Sequence, residues 1–167
     1  AMRGRAGSAE VQEQACGAFR GIAHEITANQ EKIAEAGGIE LVLAAMREHP
    51  GSAGVQKQAC AALSTIASNV IANQKKIGEV GGIELVMAVM RGHRTAPGLQ
   101  GQACRVLQTI AKNNDDCRMK IGEAGGIELV MAAMRGHAGS VEVQEQACAA
   151  LWNIAANVNA HTESIGE

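Results

Sequence analysis

The string GGIELV begins at Gly37, again at Gly81 and again at Gly125, at a constant spacing of 44 residues. It is the best-kept part of a longer self-similarity. Residues 29–49, 73–93 and 117–137 carry Lys, Ile, Glu, Gly-Gly-Ile-Glu-Leu-Val, Met-Arg and His at matching places. Downstream, VQEQAC, VQKQAC, LQGQAC and a second VQEQAC put Cys16, Cys60, Cys104 and Cys148 at the same interval. A fixed period of this size, kept without insertions, means an array of stacked units, because no single unit buries its own apolar stripe. The 167 residues hold about 3.8 units. They divide as a partial repeat over 1–28, full repeats over 29–72, 73–116 and 117–160, and the start of a further unit over 161–167. No stretch reads as a linker or a second domain.

Punctuation within the unit sets the helices. Residues 73–80 form a short helical candidate that ends at Gly81-Gly82, where glycine takes the left-handed conformation that closes a helix. Ile83, Val86, Met87 and Met90 then recur at helical spacing, with Glu84 early and Arg91 late, the charge order that suits a helix dipole. The loops GHRTAPG and EHPGSAG carry the Gly and Pro that stop a helix. A third, longer helix follows, with Val55, Ala59, Ala62 and Ile66 on one stripe and Cys60 and Leu63 widening it. One Phe, one Trp and no Tyr leave a core of short side chains that suits closely packed helices. Ala15, Ala59, Ala103 and Ala147 mark the expected points of closest approach between third helices.

Asn-Gln-x-x-Ile-x-x-x-Gly-Gly-Ile, an aliphatic helix, and then Gln-Ala-Cys-Ala-Ala-Leu-Trp-Asn-Ile-Ala resemble the armadillo repeat over essentially the whole chain. The resemblance implies an all-α fold: an armadillo-like right-handed superhelical α-solenoid with three helices per 44-residue repeat. Two-helix HEAT repeats fit less well, because the short 73–80 segment and the paired glycines have no place in them. The chain starts in the last turn of a second helix, since residues 1–11 match 133–143, and it stops inside a first helix. Arrays of this kind normally carry polar capping repeats. Their absence reads as a piece of a longer array or an engineered one, with end-to-end association expected.

The cysteines invite a metal or redox reading. Stacked units lie about 10 Å apart, whereas a disulfide needs Cα atoms within about 7 Å. The ladder is therefore expected to be core filler, with Cys117, in the place of Asn29 and Asn73, expected on the surface. Unpaired thiols fit a reducing compartment, cytoplasmic or nuclear. His49, His93 and His137 form a second ladder, expected to cap second helices by donating to their free carbonyls. Gly-Gly-Ile lacks the strand and the lysine of a phosphate loop. The periodic Glu and Arg read as a solvated helical face.

These readings leave no catalytic, cofactor or metal residues. No Ser, His and Asp grouping and no HExxH stand out, so the chain is expected not to be an enzyme. A net charge of −2 with no basic run argues against nucleic acid and anionic membranes, and no apolar stretch reaches the roughly 20 residues of a membrane span. A protein or peptide is the expected partner.

The armadillo resemblance implies that third helices line a groove in which a recurrent Asn holds a peptide backbone and a Trp one turn earlier packs on its side chains. The Asn place falls here on Gly21, Thr65, Thr109 and Asn153, and the Trp place on Gly17, Ala61, Arg105 and Ala149, so only Asn153 matches. Residues that vary between units are the candidate contacts: Arg20, Gln108 and Trp152, which share one row with Ser64, and Lys57, Arg105, Lys112 and Asn153, with His24, on nearby rows. The expected function is a non-catalytic interaction scaffold that binds a peptide segment or partner domain on the concave face. The alternative is a structural or engineered module with no native ligand that associates with itself end to end. A third reading is a regulatory domain from a larger enzyme.

Overall fold

The structure is a computed structural model that describes residues 8–156. The described residues form helices only, in the order α1 (Ala9–Ala23), α2 (Thr27–Glu35), α3 (Gly38–Glu48), α4 (Ala53–Ile66), α5 (Ile71–Glu79), α6 (Gly82–Gly92), α7 (Pro97–Ala111), α8 (Asp115–Glu123), α9 (Gly126–Gly136) and α10 (Val141–Ala155). Each unit contributes a short first helix (α2, α5, α8), a second (α3, α6, α9) and a long third (α4, α7, α10), with α1 the third helix of the leading partial unit. The expected continuation over 161–167, and the last turn of a second helix at residues 1–4, lie outside the described residues.

The paired glycines divide the labour between them. Gly37, Gly81 and Gly125 are the N-cap residues of the second helices with φ of 80°, 84° and 80°, the left-handed region that a side chain resists. Gly38, Gly82 and Gly126 have ordinary dihedrals and are small for another reason. A Cβ at any of them would lie 2.4 Å from Cγ2 of Ile33, Ile77 or Ile121, the residue five earlier, and within 2.8 Å of its carbonyl. The turn therefore needs one glycine for conformation and one for space. At the other end of the unit the third helix closes on a left-handed residue that is not glycine: Glu25, Asn69 and Asn113, with φ of 58°, 61° and 55°. This sharp closure lets Val70 take the N-cap of α5 in extended backbone, so the first helix begins at Ile71, two residues before the sequence-based start.

Third helices start on a serine. Ser8, Ser52 and Ser140 each accept a hydrogen bond from the backbone N–H three residues on, at 3.4, 3.3 and 3.4 Å. In α7 the same place is Ala96, followed by Pro97 at the first helical position, whose preset φ and missing N–H suit a helix start.

Successive third helices pack against one another, α1 on α4, α4 on α7 and α7 on α10. Ala59, Ala103 and Ala147 are fully buried there, whereas Ala15 in α1 is only partly covered. Ile66, Leu63, Leu107, Ile110, Ile77, Ile83 and Met87 fill the interior. The aliphatic stripe read from the sequence is thus the core.

Side-chain amides tie the helices into a unit. Gln56 Nε2 donates to the carbonyls of Met46 and His49, both at 2.8 Å, closing the free end of α3. Gln100 does the same for α6 through Met90 (3.0 Å) and His93 (2.9 Å), and Gln144 for α9 through Met134 (2.8 Å) and His137 (3.1 Å). The carbonyls assigned to histidine are already taken, which corrects the expected role of that ladder. His93 Nε2 instead reaches the carbonyl of Pro50, and His137 Nε2 that of Arg94, each 2.8 Å away in the preceding unit. A carbonyl only accepts, so Nε2 carries the proton in both.

First helices are held similarly. Asn73 Nδ2 donates to Ile66 (2.8 Å) and to Gln30 of the preceding unit (3.1 Å), while Gln74 Nε2 donates to Ala67 (3.2 Å). Cys117 and Arg118 replace this pair in the last unit. Arg118 Nε takes over the carbonyl of Ala111 at 2.9 Å and adds that of Asn153 at 2.8 Å. Cys117 is 2% exposed, not on the surface as expected, with Sγ 3.7 Å from the Gln74 carbonyl. It fits because Gly78 opposite has no side chain: a Cβ there would be 2.7 Å from the sulfur. Cys16, Cys60 and Cys104 are buried filler as expected, but Cys148 is exposed on the side of α10 corresponding to the covered side of α4 and α7. The periodic charges are only partly a solvated face. Arg47 Nη2 donates to the Val80 carbonyl at 3.1 Å, and Lys76 Nζ lies 2.9 Å from both the Ala34 carbonyl and Glu40, so both clamp neighbouring units.

Candidate ligand groove along the third helices

A polar groove of about 470 Å³ runs across the stack from the end of α1 to α10. Its floor follows from the period. Thr65, Thr109 and Asn153 form one row at the unit spacing, and His24, Ser68 and Lys112 form another. The first row sits on the exposed side of the third helices, opposite the buried Ala and aliphatic stripe, and the second lies just past their C-terminal ends.

The hydroxyls are oriented from within. Thr65 Oγ1 donates to the Ala61 carbonyl and Thr109 Oγ1 to the Arg105 carbonyl, both at 2.8 Å, which leaves their oxygens free to accept. Asn153 Nδ2 donates to the Gln108 carbonyl at 3.0 Å, so part of its amide is spent tying α10 to α7. Lys112 Nζ is 3.2 Å from Asn69 Oδ1 and bridges the ends of two units. Arg105 is exposed on the groove and forms no ion pair among the described residues.

Of the residues expected from the sequence, the structure brings together Arg105, Gln108, Lys112 and Asn153 on this lining, with Ser64 and His24 beside them. Arg20, Lys57 and Trp152 fall outside it. Lys57 lies across the start of α7, near Gly98, and Trp152 is 78% exposed on α10, one residue from the groove row. Thr65, Thr109, Ser68 and Asn69 were not on the sequence-based list. Thr65 and Thr109 stand at the place of Asn153 in the repeat alignment, where a short hydroxyl reads as a lost contact, and Ser68 and Asn69 stand at the places of Lys112 and Asn113 with no reading of their own.

A family model described as LRRK2 ARM repeat matches residues 1–167. The chain belongs to the LRRK2 ARM repeat family. The fold is the all-α repeat architecture that the armadillo resemblance implied, and ARM repeats as a family are scaffolds that mediate protein interactions. No curated protein matches this LRRK2 ARM repeat chain. A similar solved structure is the crystal structure of an engineered protein, a Northeast Structural Genomics Consortium target, 31% identical with a TM-score of 0.79. The match covers 88% of this chain and 57% of that one, so the chain spans little over half the length of the structure it resembles.

Chemically, the groove offers hydroxyl and amide oxygens and two exposed cations. Among the described residues no group of three or more His, Cys, Asp or Glu side chains could hold a metal ion, and no helix is long and apolar enough to cross a membrane.

Proposed function

We propose that the chain is a non-catalytic interaction module whose third-helix groove binds an extended peptide segment or an edge of a partner domain. The observation that supports this most is the groove itself. The positions that differ between otherwise repeating units, Arg105, Gln108, Lys112 and Asn153, converge on one continuous polar lining. A repeat array gains binding specificity by varying such positions while keeping its scaffold constant. Five unpaired cysteines suit a reducing compartment, cytoplasmic or nuclear, as the setting for this role. Capture of partners from a lysate tests the reading. Thr109→Arg, which fills the groove, and Arg105→Ala are expected to lose a partner that Trp152→Ala retains; a partner held equally by Thr109→Arg would refute it.

A second reading, association between copies of the module, has its own support. Ile22 is 54% exposed at one end of the described array, and Ile127 and Met131 are 38% and 43% exposed at the other. Their counterparts one unit inward, Ile66, Ile83 and Met87, are at most 1% exposed. Head-to-tail stacking would cover both ends with the contacts already used inside. Light scattering against concentration tests it: mass should rise for the parent chain and stay at the monomer value for Ile127→Glu. A parent chain that remains monomeric at high concentration excludes this reading.

A further inference from the structure

We propose that the groove selects an acidic extended segment, one carrying Asp or Glu carboxylates, and that Arg105 and Lys112 are its specificity-determining residues; this rests on the groove reading above.

On the groove lining both the arginine and the lysine come from one unit. At the phase of Arg105 the other third helices carry Gly17, Ala61 and Ala149, and at the phase of Lys112 they carry His24 and Ser68. Lys112, the C-cap residue of α7, follows Arg105 by seven residues, about 10 Å along the helix, and both line the groove. Gln108 lies between them. Arg105 has no acidic partner among the described residues, and Lys112 gives one N–H to Asn69 Oδ1 at 3.2 Å, leaving two of its three to a ligand.

Among the described residues the lining holds a single carboxylate, Glu25, at the α1 end, 4.0 Å from the ring of His24. The stretch formed by α4, α7 and α10 is therefore a positive strip on a chain of net charge −2. A carboxylate finds attraction there and repulsion over the molecule as a whole, a contrast that favours one landing place. A basic segment would meet two cations and one distant acid. The hydroxyl oxygens of Thr65 and Thr109, with their protons spent on their own helices, accept N–H groups from the ligand backbone. The lining crosses three helix-to-helix steps of about 8–10 Å, a span that an extended segment covers with about eight residues at about 3.3 Å each.

The test selects binders for the whole chain from a displayed library of random nine-residue peptides, followed by fluorescence anisotropy of the enriched peptides. The expected pool is enriched in Asp and Glu and binds in a salt-sensitive way. Exchange of its acids for Asn and Gln should weaken binding about tenfold or more. Arg105→Glu and Lys112→Glu, checked for folding by circular dichroism, should each remove that preference, whereas Arg20→Glu, off the groove, should not. Lys112→Gln, which keeps a donor toward Asn69, separates loss of charge from loss of structure. A pool blocked by Thr109→Arg but not enriched in acids overturns the acidic selectivity and leaves the groove reading intact. A pool indifferent to Thr109→Arg overturns both.

Discussion

Thiol chemistry in this chain is decided by where each cysteine sits in its unit. Burial pushes the Cys16 thiol up to about 11; burial, aided by nearby Cys16, pushes Cys60 up to about 12; burial does the same for Cys104. Cys117 is also raised, chiefly by burial. A thiol reagent is therefore expected to modify Cys148 quickly in the native protein and to spare the other cysteines until denaturant is added. Mass spectrometry of the labelled chain checks this, and rapid native labelling of Cys117 would contradict its placement. The same shifts give a pH dependence with a defined sign. A thiol whose pKa is higher in the folded state stabilises that state below its unfolded value of about 8.5, and the contribution disappears as pH rises through the folded values. Thermal stability should accordingly fall between about pH 9 and pH 12, measured by circular dichroism melts across that range. The sequence alone does not separate Cys117 from Cys148. Burial of the first depends on the missing side chain of Gly78 one unit away, and exposure of the second on its being at the outer side of α10.

At the level of single helices, ends matter more than middles. The serine starts and the Pro97 start sit in loops that the sequence marks only as helix stops; the glycine turn, which follows from the backbone of a few adjacent residues, is legible. The side-chain caps are not, since Gln100 closes a helix whose last carbonyls are seven and ten residues back in the chain. In the sequence that glutamine is merely a polar residue on an Ala-rich helix. Gln100→Ala takes the donor from the Met90 carbonyl and leaves the His93 carbonyl with only the Ala96 N–H, and is expected to cost about 1–3 kcal/mol in urea unfolding. Ser52→Ala should cost about 1 kcal/mol through its lost cap. If Gln100→Ala unfolded at the same urea concentration as the parent, the double cap would not contribute to stability. The groove was half legible for a similar reason. Charged and amide residues that break the repeat stood out, but the Thr65 and Thr109 row gains its meaning only when hydrogen bonds to the preceding turn turn its oxygens outward.

Over the whole molecule, stability resides in the contacts between third helices. Ala103 is fully buried on α7, the helix that packs against both α4 and α10, and Ala103→Leu is expected to cost about 1–3 kcal/mol by overpacking. Ala15→Leu, at the partly covered end, should cost far less. Equal effects of the two on the thermal midpoint would show that the third helices do not approach as closely as described. The overall architecture was the most legible level, because a constant period leaves a chain few ways to pack. The cross-unit bonds have a further consequence. His93 to Pro50, His137 to Arg94, Lys76 to Ala34 and Arg47 to Val80 each join one unit to the next and skip none. A gene duplication that copied one full period in frame would therefore supply every donor and acceptor its product required, and leave every older bond as it was. Growth by whole modules is thus mechanically free for this array, whereas a gain or loss of even one residue between modules would break every latch across that joint.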